Sequence, residues 1–237
     1  MREGKWCATS FVTGSSGFDS HPGIFYALQN EKFRGARVEP DLGLYLCPVT
    51  EALIMIKRRE LQECGHLFEY LSHPSVFPFV RQKATSAEEF LFMTKQLMEE
   101  EERGEVISRT ITDDYGMPIG TINLYDIQDQ AGFLGTWIGQ PFQGKGYNLK
   151  AKNLFLEELF YQHEINTVFL RIKKHNEKSI RATEKLAYTM NAKDSHPTLF
   201  EEINAGEHQY ELYQIPKDLF YLSTAASRFT EEEEQAM

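Results

Sequence analysis

Two glycines flank a lysine in the segment QGKGYN, which spans Gln143–Asn148. The apolar segment GFLGTWIG before it has the composition of a β-strand, and the residues after it carry Ala151, Phe155 and Leu159 at the spacing of one helical face. A turn between a strand and a helix presents free backbone N–H groups beside the positive end of the helix dipole. Glycines let a phosphate approach the main chain, and Lys145 adds a positive charge. The segment therefore predicts an anion-binding site.

Three kinds of phosphate-binding site could explain this turn. A P-loop requires G-x-x-x-x-G-K-[ST]; Gly139, Gly144 and Lys145 fit its first part, but Gly146 occupies the place of the hydroxyl residue that holds Mg²⁺. A dinucleotide-binding fingerprint, G-x-G-x-x-G, fails because Leu149 occupies the third glycine position. The remaining interpretation is a long ligand whose phosphates bind the loop and whose reactive end lies along the preceding strand. Coenzyme A is such a ligand.

At this point the sequence resembles the GNAT acetyltransferases. Their acetyl-CoA loop has the form Q/R-x-x-G-x-G/A, which QGKGYN matches except at its last position. A second motif of the family, N-x-x-S followed by E-K-L-G-F, is present as Asn176–Ser179 and Glu184–Tyr188. Taken together, the two motifs most resemble the Rim-type branch, that of ribosomal-protein alanine N-acetyltransferases, in an element order that covers about residues 50–216.

The resemblance implies roles for individual residues. A main-chain N–H near Ile138 would stabilise the oxyanion, at a point where two central strands splay apart and seat the pantetheine arm, and Asn176 would bond that arm from the other side. The coenzyme-binding residues implied in this way are Ile138, Gln143, Gly144, Lys145, Gly146, Tyr147, Asn148, Asn176 and Ser179.

The sequence departs from the family pattern near the chemistry. Asn148 replaces the usual Gly or Ala, and its side chain crowds the diphosphate, donates a hydrogen bond to it or caps the helix. Thr183 stands where many members carry a tyrosine that protonates the leaving thiolate, so Ser179 becomes the catalytic candidate; the alternative is that Ser179 only bonds backbone groups early in its helix. The candidate bases are Glu201 and Glu202, with solvated loop charges or a water chain as the alternatives.

The elements that must position these residues follow from the hydrophobic pattern. Three strands separated by turn residues are predicted within residues 105–139, followed by a helix from Leu149 to Glu164, a strand, a helix over residues 176–189 and a last strand ending near residue 216. The meander and the βαβ units predict an α/β (α+β) fold with a mixed central sheet, antiparallel N-terminal strands and flanking helices. Residues 1–43 are interpreted as a poorly patterned extension, 44–216 as the GNAT domain and 217–237 as an acidic tail.

Composition limits the partners. The formal charge of −10 argues against nucleic acid or an anionic membrane, because such partners are bound by clustered Lys and Arg. The three cysteines lack a C-x-x-C spacing and the seven histidines lack a metal-ligand spacing, so no metal is expected. No apolar segment has the pattern of a signal peptide or the length of a membrane span, which predicts a cytoplasmic location.

The sequence thus predicts an N-acetyltransferase in which a primary amine attacks the thioester of acetyl-CoA directly. The branch resemblance implies a protein N-terminal α-amine as acceptor; a small-molecule amine, such as a polyamine or drug, and a non-catalytic acyl-CoA-binding module are the alternatives. Trp137, Phe77 and Phe79 either line the acceptor groove or cover apolar surface. Monomer and homodimer are both open.

Overall fold

The computed structural model describes residues 56–235, with side chains described as far as residue 226. The predicted extension, residues 1–43, and the predicted domain start at residue 44 lie outside the described residues. The strands are β1 (Ile56–Arg58), β2 (Ile107–Thr112), β3 (Pro118–Gln128), β4 (Ala131–Ile138), β5 (Thr167–Lys173), β6 (Met190–Asn191) and β7 (Tyr210–Pro216). The α-helices are α1 (Cys64–Leu71), α2 (Ala87–Glu102), α3 (Tyr147–Gln162), α4 (Glu177–Glu184), α5 (Pro197–Ile203) and α6 (Lys217–Gln235).

The seven strands form one sheet in the order β1-β2-β3-β4-β5-β7-β6. Neighbouring strands are antiparallel except for β4 and β5, which are parallel. The predicted mixed sheet with antiparallel N-terminal strands is therefore confirmed. The parallel pair arises because α3 carries the chain from the end of β4 back to the start of β5, as a βαβ unit requires.

The parallel pair separates soon after it begins. β4 and β5 are paired only where Ala131–Phe133 faces Thr167–Phe169. Beyond this point β4 continues along β3 as far as Ile138, while β5 continues along β7 as far as Lys173. The predicted splayed central pair is present, and it leaves an opening in the middle of the sheet.

Helices cover both faces of the sheet. On one face, α3 and α6 bury an apolar core that includes Phe155, Phe160 and Phe220. On the other face, α1 and α2 pack through Leu67 and Phe90 in a second cluster, against which Trp137 of β4 is partly buried. Since side chains alternate along a strand, β4 contributes Ile138 to the first core and Trp137 to the second.

Two predicted helix boundaries are corrected by the structure. Helix α3 begins at Tyr147 rather than Leu149, because Gly146 adopts a left-handed conformation (φ 86°) and starts the helix directly after itself. Helix α4 ends at Glu184 instead of continuing to residue 189. The chain turns there, with Leu186 N–H bonded to the Thr183 carbonyl, and this turn buries Tyr188 in the α3 core.

The C-terminal segment differs from the acidic tail suggested by its composition. Residues 217–235 form helix α6, which follows β7 directly. Phe220 is 1% exposed and lies 5.4 Å from the Phe160 ring and 5.2 Å from the Tyr188 ring. The start of this segment is therefore part of the core, a role that the glutamate run farther along the chain obscures in the sequence.

Candidate active site

A cleft of about 1080 Å³ occupies the opening between β4 and β5. On the α3 side its walls are apolar and include Leu134, Ile138 and Leu170; on the α1–α2 side they include Tyr125 and Arg171. These residues come from opposite faces of the same strands, because alternate side chains of a strand point in opposite directions. The cleft therefore passes through the sheet and is lined from both faces.

The glycine loop forms the mouth of the cleft on the α3 side. Gly144 and Gly146 have φ values of 79° and 86°, a conformation that L-residues rarely adopt. A Cβ atom at either glycine would meet nothing within 4 Å, so the glycines serve the backbone conformation and leave space in front of it. Both residues line the cleft.

The loop presents a run of unused backbone donors. The first helical hydrogen bond of α3 runs from Lys150 N–H to the Gly146 carbonyl at 3.2 Å. Among the described residues, the N–H groups of residues 144–149 have no hydrogen-bond acceptor. Together with the dipole of a 16-residue helix, these free donors have the arrangement that anions favour, and they are called the anion-binding surface below.

Gln143 fixes this loop to its surroundings. Its side-chain Nε2 donates to the Ile138 carbonyl at 2.9 Å, and its Oε1 accepts from Lys178 Nζ, also at 2.9 Å. The side chain thus links the end of β4, the loop and the start of α4. Gln143 lines the cleft, but both ends of its amide are already bonded within the protein.

The other predicted loop residues divide into two groups. Asn148 lines the cleft. The side chains of Lys145 and Tyr147 do not line it: the Lys145 ammonium lies 5.6 Å from the centroid of the Phe142 ring, and the Tyr147 hydroxyl donates to Asp114 Oδ2 at 3.2 Å. The structure therefore gives their side chains the role of holding the loop, while their N–H groups belong to the anion-binding surface.

The backbone of Ile138 faces the opening. Ile138 is opposite Gly120 in the β3–β4 ladder, and the next residue, Gly139, donates its N–H to the Ile119 carbonyl at 2.8 Å. Because residues of an antiparallel strand alternately face and turn away from their partner, the N–H groups of Ile138 and Thr136 point away from β3, toward the gap. This is the geometry that the predicted oxyanion donor at Ile138 requires.

The start of α4 forms the opposite wall. Asn176 is its N-cap, with Oδ1 accepting the Ser179 N–H at 3.3 Å, and both residues line the cleft. Thr183 also lines it and is 1% exposed. The structure thus brings the candidate acid Ser179 and the residue that replaces the family's tyrosine into one wall.

Two polar groups without partners lie in the apolar half of the cleft. Lys152 of α3 is 8% exposed, and no hydrogen bond or ion pair to it is found within the described part of the chain. Burial lowers the pKa of its ammonium group to about 8. The Thr136 hydroxyl is buried without a hydrogen-bond partner among the described residues. A ligand with amide groups would satisfy such groups.

The α1–α2 side of the cleft has a polar floor that sequence reasoning missed. Asn123 accepts from Ser108 at 2.5 Å and donates to the Tyr125 hydroxyl at 2.9 Å, and burial raises the pKa of Tyr125 to about 12. Thr121, Asn123 and Tyr125 all line the cleft. These polar side chains recur at every second residue among the apolar residues of the first part of β3, and this alternation was the available signal.

Several other candidates have clear positions. Trp137 and Phe79 line the cleft, whereas Phe77 does not. Glu201 and Glu202 lie exposed on α5 and outside the cleft lining, which contradicts their candidacy as the base. The sequence did not reveal that these two glutamates lie outside the cleft, because helix α5 between β6 and β7 was not predicted.

The chain matches the family model of the acetyltransferase (GNAT) domain over residues 54–189, more than half of its length, and it belongs to this family. The membership supports acetyl transfer from acetyl-CoA to an amine as its general activity. No curated protein matches the chain.

Solved structures with similar folds act on different acceptors. A spermidine N-acetyltransferase from Vibrio cholerae in complex with CoA and spermine is 12% identical, with a TM-score of 0.57 over 71% of this chain and 98% of that one. A ribosomal-protein-S5-alanine acetyltransferase from Vibrio fischeri is 18% identical, with a TM-score of 0.55 over 69% and 92%. A nucleotide-linked sugar GNAT is 15% identical, with a TM-score of 0.59 over 74% and 93%. At these identities the likeness concerns the fold, so the Rim-type branch stays a prediction.

The described part of the chain contains neither a membrane-spanning helix nor a cluster of metal-ligating side chains. No helix there has the length and apolar character needed to cross a membrane. No group of three or more His, Cys, Asp or Glu side chains in the same residues is arranged to hold a metal ion.

Proposed function

We propose that this protein binds acetyl-CoA in the cleft between β4 and β5 and transfers the acetyl group to a primary amine. The observation that carries the proposal is the run of unbonded N–H groups over residues 144–149, at the mouth of a cleft that leads between two separated strands. A diphosphate satisfies such donors, and Lys178, whose ammonium is bonded to Gln143, adds charge beside it.

The rest of the coenzyme fits the interior of the cleft. The pantetheine arm is a chain of amide and methylene groups, and the α3 side of the cleft combines apolar walls with the unpartnered polar groups of Lys152 and Thr136. On the facing wall, the side-chain oxygen of Asn176 already accepts the Ser179 N–H at the start of α4. Its Nδ2 group is then the donor that bonds the arm.

The chemistry needs three events. The neutral amine attacks the thioester carbonyl, and the developing oxyanion accepts a hydrogen bond from the Ile138 N–H. A donor that is already aimed at the oxyanion lowers the barrier by about 3–4 kcal/mol in other enzymes. The carbon–sulfur bond breaks as the carbon–nitrogen bond persists, and the leaving thiolate takes a proton from the Ser179 hydroxyl, which receives a proton from water in turn. Since a thiol has a reference pKa of about 8.5, a weak acid suffices. The proton of the amine leaves through water, because the carboxylates considered for this task lie outside the cleft.

The acceptor enters on the α1–α2 side. The motif resemblance to the Rim-type branch favours a protein N-terminal α-amine, and the polar floor of Thr121, Asn123 and Tyr125 suits the amides of an extended peptide. A small-molecule amine is the second candidate, since the solved relatives include a spermidine N-acetyltransferase and a nucleotide-linked sugar enzyme.

Calorimetry with CoA, together with thiol release from acetyl-CoA in the presence of a panel of amines, tests the proposal. We expect CoA to bind and at least one primary amine to accelerate thiol release. CoA binding with no acceleration by peptides, polyamines or amino sugars would instead indicate a non-catalytic acyl-CoA-binding module. Absence of CoA binding would contradict the assignment of the loop.

A further inference from the structure

The α1–α2 side of the cleft is basic, although the chain as a whole carries a formal charge of −10. Among the described residues that line the cleft, the only carboxylate is Glu177 of α4, whose side chain is paired with Arg181 at 3.2 Å. The basic residues on this side are Arg59, Arg81, Lys83, Arg171 and Lys173. The acceptor half of the cleft therefore carries positive charge, whereas the net charge of the whole chain is negative.

Arg59 is the most deeply buried of these cations. It is 5% exposed, its Nη2 donates to Thr94 Oγ1 at 3.3 Å, and its Nε has no hydrogen-bond partner within the described residues. Burial lowers the pKa of its guanidinium below the usual value. The nearby Glu63 is already bonded to Lys57 Nζ at 2.6 Å and to Thr110 at 3.0 Å. A buried guanidinium that lacks its own carboxylate is costly unless an anion completes it.

Arg171 is a second cation of the cleft for which the described residues supply no ion pair. It alternates with Leu170 and Ile172 on β5, so it lies on the α1–α2 face of the sheet. Its guanidinium lies 5.1 Å from the centroid of the Phe133 ring, and no ion pair to it is found in the described part of the chain. Burial and the neighbouring Arg81 both lower the pKa of Arg171.

Arg81 differs from these two because its charge is balanced. Its guanidinium makes two hydrogen bonds to the Asp126 carboxylate, at 2.8 and 2.9 Å, and lies 4.4 Å from the centroid of the Tyr125 ring. The Asp126 carboxylate is hydrogen-bonded to Arg81 and attracts Arg171 only at longer range. Arg59 and Arg171 remain as the two cleft arginines for which no ion pair is found within the described residues.

We propose that the acceptor amine carries an anionic group, a carboxylate or a phosphate, which binds in the half of the cleft where Arg59 and Arg171 supply positive charge. The inference rests on the proposed function and specifies its acceptor class. The planar guanidinium matches the oxygens of both anions, and Lys83 and Lys173 add charge around the same space. A polyamine does not fit this half of the cleft, because its additional ammonium groups require carboxylates and are repelled by arginine and lysine.

Matched pairs of primary amines test this inference by direct binding to the full chain loaded with CoA. The first pair is the dipeptide amides Ala-Glu and Ala-Gln, and the second is phosphoethanolamine and ethanolamine, with spermidine as the cationic probe. We expect the anionic member of at least one pair to bind about tenfold or more tightly than its neutral partner, as charge-assisted hydrogen bonds imply. A preference confined to the peptide pair indicates an acidic protein N-terminus, and one confined to the second pair indicates a small phosphorylated amine.

Variants connect the preference to the two arginines. Arg59→Met and Arg171→Met should each reduce the preference for the anion, while Arg103→Met, which removes the same charge from an exposed residue paired with Glu105, should preserve it. Equal binding of both members in both pairs, tighter binding of spermidine, or a preference unchanged in both cleft variants would overturn the inference. Failure of the proposed function is distinguishable, because it would appear as absent CoA binding or absent thiol release, and the amine titrations can be repeated on the coenzyme-free protein.

Discussion

The side-chain amide of Gln143 donates a hydrogen bond of 2.9 Å to the carbonyl of Ile138, and so joins the glycine loop to the last residue of β4. The same side chain accepts from Lys178, so its two bonds hold the loop between two walls of the cleft. Gln143 therefore acts by positioning the N–H groups that follow it.

Gln143→Glu should weaken CoA binding. A carboxylate cannot donate to the Ile138 carbonyl, and an unpaired buried carbonyl costs about 1–3 kcal/mol, which corresponds to roughly 5- to 150-fold in affinity. Calorimetry measures the effect. Gln140→Glu, the same charge change at an exposed residue of the same turn, serves as control; equal affinities for the two variants would contradict a positioning role.

Gly146→Asp should abolish most CoA binding, whereas Gly146→Asn should retain more of it. Both substitutions place a similar side chain at a φ of 86°, so the backbone strain is matched. They differ by one negative charge facing the diphosphate, and repulsion of about 1–4 kcal/mol at 4 Å predicts a difference of roughly fivefold or more in the dissociation constant. If the two variants bind CoA equally, the diphosphate does not lie against this loop.

Ser179→Ala should lower turnover by roughly tenfold or more while leaving the CoA dissociation constant unchanged, because a general acid acts on the leaving group and not on the bound coenzyme. The deficit should shrink above pH 8.5, where a thiolate of ordinary pKa, about 8.5, leaves without a proton. Thiol release as a function of pH is the measurement. A variant with wild-type turnover at all pH values would leave Ser179 as a residue that only bonds the backbone at the start of α4.

Lys152→Met should make the protein more stable near pH 7 and change how its stability depends on pH. The Lys152 pKa is about 8 in the folded protein against 10.5 ordinarily, so between these values the unfolded chain holds more protons than the folded one. The free energy of unfolding of the wild type should therefore rise with pH over this window, relative to the variant, by on the order of 3 kcal/mol.

Urea denaturation at a series of pH values measures the Lys152 effect. Lys95→Met, on the exposed side of α2, is the control and should follow the wild-type pH profile. Parallel profiles for wild type and Lys152→Met would mean that the buried ammonium keeps an ordinary pKa.

Phe220→Ala should lower the free energy of unfolding by about 3–5 kcal/mol, as expected for a large aromatic side chain removed from a core. Leu222→Ala on the same helix should change it by less than about 0.5 kcal/mol, because Leu222 is 71% exposed. Thermal or urea unfolding distinguishes the two. Equal effects would mean that α6 is not anchored through its Phe220 face.

The sequence predicted those parts of the molecule whose local pattern determines their structure. The meander, helix α3 and the loop Gln143–Asn148 were predictable because alternation, helical spacing and glycine all act within a few residues. The burial of Phe220 and the position of α5 depend on packing between distant segments, which local pattern does not encode.

The candidate site shows the same division. The motif residues were found, but the roles of their side chains were not: Gln143 is engaged by Ile138 and Lys178, and Tyr147 by Asp114. That Arg59 and Arg171 line one cleft was not predictable, because they are 112 positions apart in the sequence and only the folded sheet brings both to its wall.

The opening between β4 and β5 reaches both sides of the sheet, and this has a kinetic consequence under the proposed function. Two substrates that arrive through separate entrances do not obstruct one another. Neither an obligatory order of addition nor an acetylated enzyme intermediate is imposed by the architecture. Double-reciprocal plots should accordingly intersect, and a product that occupies one entrance should compete only with the substrate that uses it.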